Sequence, residues 1–267
     1  MRMWAPLGLV LLWASMALLG FVVPLAPEHI DLSKILVSGG AEEWLGYDDL
    51  GRPILDRLIM GARTSFFVAF AVVGLSLCVG TMIGTFGAFM GGWVDHVLVR
   101  IIDVFLAFPG ILLAIALAGV MGPGIDNVVI ALSAVGWVGY ARLSRAQVLT
   151  VKERDHIHAA IAIGTKPLRI MVRHLIPLVS APLIVEASFG IAGAVIAEAG
   201  LSFLGLGVQP PAASWGSMIR EGTRYMLVAP HLVIAPGLAI MAVVLAINLF
   251  GDWLRDWLDV KDQTRLG

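Results

Sequence analysis

The sequence predicts an all-α membrane protein with six transmembrane helices, and two observations carry that class. Of 267 residues, 59% are hydrophobic and only 14% charged, with a mean hydropathy of +0.91, which is too apolar for an ordinary soluble domain. The apolar residues also gather into long runs with few charges, close to the ~20 residues that a helix needs to cross a bilayer. The formal net charge of -1 hides an uneven distribution and gives no reason to expect a nucleic-acid partner. The single cysteine, Cys78, sits inside an apolar run, so neither an intrachain disulfide nor a metal-ligand spacing is available to it.

Residues 1–27 form the first predicted span: Met3 to Pro27 carry no charge and follow Arg2. The length favours an uncleaved helix over a signal peptide, whose apolar region is roughly half as long. Trp4 belongs near the interface and Trp13 inside the span. Residues 28–63 read as a linker outside the cell, acidic on balance and poor in Lys and Arg. Toward its end Pro53 starts a short amphipathic helix on which Ile54, Leu55, Leu58 and Ile59 share a face lying at the interface.

Residues 64–259 form the core, with five further spans. Thr64 to Val94 carries Gly80, Gly84, Gly87 and Gly91, two GxxxG spacings that let helix backbones meet in lipid. A loop with Asp95, Arg100 and Asp103 leads to the third span, Val104 to Ile125, kinked at Pro109. The fourth runs from about Asn127 to Val148, with Arg142 and Arg145 snorkelling to the interface at its end. The fifth, Leu178 to about Phe203, holds Glu186 and Glu198 with Ser188 and Ser202 nearby. Intramembrane carboxylates are costly and usually face a bundle interior or water, so these four residues are candidates for a translocation pathway. Twelve positions at 3.6 residues per turn leave the two glutamates about 120° apart, so they need not share one site. Gly205, Gly207, Pro210 and Pro211 break the helix. The sixth span is Tyr225 to Gly251, with Pro230 and Pro236, and residues 260–267 are a tail.

Between the fourth and fifth spans lies a polar, basic segment, 150–177. In it Ala159-Ala160 is followed after three residues by Gly164, and Pro177 closes it. Gly164 is suited to end one short helix and turn the chain into another, while Lys166, Arg169 and Arg173 recur on one face of the second. Spacing alone favours the plainer reading, that these charges are only the positive-inside signal of a membrane protein. With both termini inside, twelve Lys and Arg fall in cytoplasmic segments and six in outer ones, which puts this loop in the cytoplasm.

No GxxxxGK[ST], GxSxG, HExxH or CxxC occurs. His156 and His158 are two apart on a presumed helix and diverge, so neither catalytic residues nor a metal site are expected.

Ala159-Ala160, Gly164 and the apolar-Pro ending at Pro177 resemble the EAA loop of ABC-importer permeases. His158 stands where that pattern usually has Glu, and Arg173-His174 resembles the ending of the peptide-importer branch. LGYDDLGRPILDRLIMGARTSFF and GLSFLGLGVQPPAASWG resemble two further runs of the dipeptide/oligopeptide/nickel class, C-type subunit. The resemblance covers about Leu45 to Asp259. It implies a type I ABC importer permease fold in a bacterial inner membrane, with both termini cytoplasmic. It also implies coupling to ATPase subunits through His158, Ala159, Ala160, Gly164, Thr165, Lys166, Arg169 and Pro177. The implied partners are a homologous permease in a heterodimer, two ATPase subunits that bind the ATP and Mg, and an external substrate-binding protein. This chain itself would hold no cofactor and hydrolyse nothing. Di- and oligopeptides are the expected cargo, with nickel or another small solute as the alternative. A secondary transporter is the rival of a different class, and the internal repeat it calls for is not seen.

Overall fold

The computed structural model describes residues 4–20, 25–40 and 43–265, with side chains through 258 apart from Ala5. Among them there is no strand, only one isolated bridge between Tyr47 and Pro53. Helix α1 spans Trp4–Leu19, and at 16 residues it is about 24 Å long, short of the ~30 Å hydrocarbon core. The expected first span continues into 21–24, outside the described residues. Trp13 is buried and meets Phe66 edge-on at 5.1 Å, whereas Trp4 is exposed.

Helix α2 runs unbroken from Ile54 to Met90. The separate interfacial helix expected after Pro53 is therefore the opening of the second span, which starts ten residues before Thr64. No proline interrupts 54–90, and Arg57, which breaks the apolar run there, is buried by ion pairing. α2 packs chiefly along α5 (Ile125–Val151). The glycines explain how. A Cβ at Gly80 or Gly84 would press into the α5 backbone at Trp137 and Ala141, and one at Gly87 into Leu98. Without those side chains the two backbones touch, and Thr85 and Ser144 hydrogen-bond across the seam at 2.8 Å.

The third span is broken, not kinked. α3 (Gly92–Leu106) and α4 (Gly110–Met121) meet at 82°. Pro109 has no N–H to continue the ladder and drives Phe108 out of helical geometry, so residues 107–109 leave the helix. Asp95, Arg100 and Asp103 consequently lie on α3, not in a loop. Arg145 does not snorkel: it grips Asp95 with two hydrogen bonds, 2.6 and 2.7 Å.

After α6 (Asp155–Ala162) and α7 (Pro167–Ile170), a π-helical turn, Met171–Leu175, feeds directly into α8 (Ile176–Phe203). The fifth span thus forms one element from Pro167, earlier than the expected Leu178. Its wide turn falls where Pro177 withholds an N–H: the Ile176 N–H reaches back five residues to the Met171 carbonyl. α8 ends in a Schellman turn at Gly205 (φ 86°), with Gly205 N–H donating to Ser202 and Leu206 N–H to Leu201. Short α9 (Trp215–Thr223) crosses the end of the bundle, and α10 (His231–Arg265) completes it. α10 starts after Pro230, later than the expected Tyr225, and stays helical through most of the expected tail. Among the described residues, four helical stretches are long and apolar enough to span, with the bent α3–α4 pair as a fifth and α1 as a shorter apolar helix.

Candidate functional site

The basic segment folds into a helical hairpin at the C-terminal end of α2. Its turn is a second Schellman motif: Gly164 sits at φ 78°, its N–H donates to Ile161, and the Thr165 N–H donates to the Ala160 carbonyl at 3.0 Å. The Ala-Ala-x-x-x-Gly spacing therefore has a local cause, because the second alanine supplies the acceptor and the glycine the left-handed turn. The two alanines face opposite ways. Ala160 is buried with Ile157, while Ala159 and Gly164 are exposed. A Cβ at Gly164 would meet nothing within 4 Å, so that position opens outward. Around it stand exposed Ile161, Ile163 and Leu168, with His158, Lys166, Arg169 and Arg173 also exposed. Thr165 is half-buried and Pro177 exposed at the start of α8, while His158 lies 3.4 Å from Glu153. This is an apolar knob in a basic collar, anchored by Ile170 and Leu175 beneath it.

A second feature is a cleft of about 330 Å³ between α2, α4, α5 and α8. Glu186 is the one pathway candidate lining it, and it supplies the only charge in a wall of apolar and glycine positions with the Ser76 and Tyr140 hydroxyls. The other three candidates lie elsewhere. Glu198 is fully buried, accepting from Ser65 at 3.1 Å and Ser202 at 2.7 Å. Its carboxylate joins α2 to α8 just beneath the Ser214 cap of α9, instead of facing a lumen. Ser188 donates to the Val185 carbonyl and abuts Gly251 of α10. The 120° offset between the glutamates separates a carboxylate in a cleft from one in a helix joint.

Nothing in the sequence announces the clasp at the opposite end of α2. Arg52 and Arg57, both buried, share Asp48 and Glu221: Arg52 meets Asp48 at 2.6 Å and Glu221 at 3.1 Å, and Arg57 meets Glu221 at 2.9 Å and also Asp48. α9 is further fixed by Trp215, whose indole N–H donates to the Leu58 carbonyl at 2.9 Å and whose ring fills the space beside Gly61. Asp48, Asp49 and Glu221 lie as close together as a cation site requires, but Asp48 and Glu221 are each already bonded by both Arg52 and Arg57, so the cluster is an ion-pair network. The linking partners are 164 and more residues apart, which no local pattern reveals.

Comparison with known proteins agrees with this architecture. Residues 76–261 match the family described as binding-protein-dependent transport system inner membrane component. The glutathione transport system permease protein GsiD of Pectobacterium atrosepticum is 41% identical over 236 residues, 88% of this chain and 78% of that protein. The dipeptide transport system permease protein DppC of Alkalihalophilus pseudofirmus is 40% identical over 261 residues, 96% of this chain and 86% of its own. A chain of the MetNI methionine ABC transporter, solved in inward-facing conformations, superposes with a TM-score of 0.62 at 17% identity, covering 77% of this chain and 98% of that one. That likeness speaks to the fold, which is the type I ABC importer permease fold. The matched region contains the hairpin and most of the cleft, and the chain belongs to the binding-protein-dependent transport system inner membrane components, as a permease subunit and not an ATPase.

Proposed function

We propose that this chain is one of two homologous permeases that together form the pathway of an importer for di- and oligopeptides. Two ATPase subunits bind ATP and Mg, one of them docking on 150–177, and an external binding protein delivers the cargo. The peptide class is supported by the dipeptide and glutathione permeases among the relatives. Both termini lie in the cytoplasm on the count of twelve Lys and Arg against six.

The observation that carries the reading is the hairpin. A soluble partner needs an exposed apolar anchor with charges around it, and Ile163, 82% exposed, stands beside outward-opening Gly164 within the basic collar. ATP-driven closure of the ATPases moves α6, and the π turn passes that motion into α8, which carries Glu186. His158, Ala159, Thr165, Lys166 and Arg169 line the contact. Ala160 and Pro177 shape it from within, through the turn and the wide helical joint.

Gly164→Trp tests this. Any side chain is strained at φ 78°, so Gly164→Ala carries that strain alone; both variants insert and assemble with the partner permease, and uptake falls further in Gly164→Trp, whose ring stands in the contact, while ATP hydrolysis continues uncoupled or the ATPases fail to bind. Unchanged peptide uptake in vesicles sinks the docking role.

A further inference from the structure

We propose that Glu186, with the Tyr140 hydroxyl beside it, is where the pathway holds the ammonium group of a passing peptide. The proposal rests on the peptide-importer reading and assigns the substrate end that this chain recognises. Glu186 lies on the third turn of α8 and is exposed to the cleft. Among the described residues it makes no hydrogen bond or ion pair. A bare carboxylate at this depth is costly unless something cationic or water meets it.

The walls indicate what that something is. Every other residue of the cleft is uncharged, so a cation entering it has one electrostatic partner. Gly139 and Gly193 line the cleft with open space where a Cβ would stand, and Gly190 leaves room for the Tyr140 hydroxyl, which its Cβ would strike. Small residues also suit a close-packed partner helix, so what points to cargo is the unpaired carboxylate set among uncharged walls. About 330 Å³ lies within the range of ~300–1,000 Å³ typical of small-molecule sites. Two hydroxyls complete the polar set: among the described residues, neither Tyr140 nor buried Ser76 has a side-chain hydrogen-bond partner. Glu186 is also part of the wall of a second cavity, about 350 Å³, which Arg255 of α10 lines on the side of the hairpin. Cargo moving from one cavity to the other passes the carboxylate and then a guanidinium that repels the same ammonium.

The test uses the complete importer in proteoliposomes, with uptake of dialanine and of N-acetyl-dialanine measured for the parent, Glu186→Gln and Glu186→Asp. Dialanine uptake should fall about tenfold in Glu186→Gln, the loss of one charged hydrogen bond, and recover in part in Glu186→Asp. Whatever N-acetyl rate the parent shows should be unchanged, as should basal ATP hydrolysis and co-purification of the partner permease. Equal dialanine uptake by parent and Glu186→Gln overturns the proposal, as does an equal fall for both peptides or a Glu186→Asp no better than Glu186→Gln. Loss of the partner permease from Glu186→Gln also overturns it, by assigning the carboxylate to a cation of that subunit. A parent complex that imports neither peptide would instead strike at the functional reading itself.

Discussion

At the N-terminal end of α2, charge is buried and paired, whereas at its C-terminal end charge is exposed and largely left open. The first end holds Arg52, Arg57, Asp48 and Glu221 in a shared network, with α9 laid over it and Glu198 bonded beneath. The second presents Lys166, Arg169 and Arg173 to solvent, around exposed Ile163 and Leu168. Buried charges tolerate no change of partner, because each displaced group would be left desolvated. Exposed ones exchange partners at little cost. The bundle is therefore fixed at one end and free to be gripped at the other, as a lever needs.

Removing the fixed end should cost most. Arg57→Ala strips a guanidinium from two carboxylates in a buried setting, and although Arg52 remains, a loss of about 3 kcal/mol is expected. Thermal unfolding of the purified protein in detergent measures it. Arg169→Ala at the other end is the control, expected within about 0.5 kcal/mol of the parent. Equal losses would erase the distinction between the ends.

The two ends also differ in how far the sequence disclosed them. The hairpin was readable because its cause is local: Gly164 and the Ala160 carbonyl lie four residues apart. The α2–α5 seam was readable because GxxxG spacing puts glycines on one face. The clasp was hidden, since nothing near Arg57 in sequence points to Glu221, and Arg57 counts there only as one of the external segment's few cations. Pro109 was visible as a disturbance, but whether a proline bends a helix or ends it depends on what receives the chain afterwards. For Glu186 and Glu198, helical geometry separated the faces, and only the packed neighbours Ser65 and Ser202 told which face was the joint.

Glu198→Gln probes that joint with a smaller effect. A glutamine amide can accept from Ser202 and donate to Ser65, so both bonds have a neutral substitute. Stability should fall by about 1 kcal/mol or less, and peptide uptake should stay near the parent rate. A severe uptake defect in a normally stable Glu198→Gln would return this carboxylate to the pathway.

The smallest effect is expected where the loop end carries its own ion pair. Asp95 and Arg145 meet through two hydrogen bonds of 2.6 and 2.7 Å, tying α3 to α5, but their side chains keep 14% and 28% of their exposure. Water therefore competes for both groups, and the bidentate geometry only partly offsets that competition. A double-mutant cycle with Asp95→Asn and Arg145→Gln should return a coupling of about 0.5 kcal/mol in thermal unfolding. Added salt should weaken it, since partly exposed charges are screened. The sign also bears on mechanism: a weak pair lets α3 part from α5 when the neighbouring hairpin is pushed, whereas the buried clasp holds. A salt-insensitive coupling of about 3 kcal/mol would put this pair in the class of a buried one. It would mean that both ends of α2 are fixed, leaving the π turn before Pro177 as the place where motion enters α8.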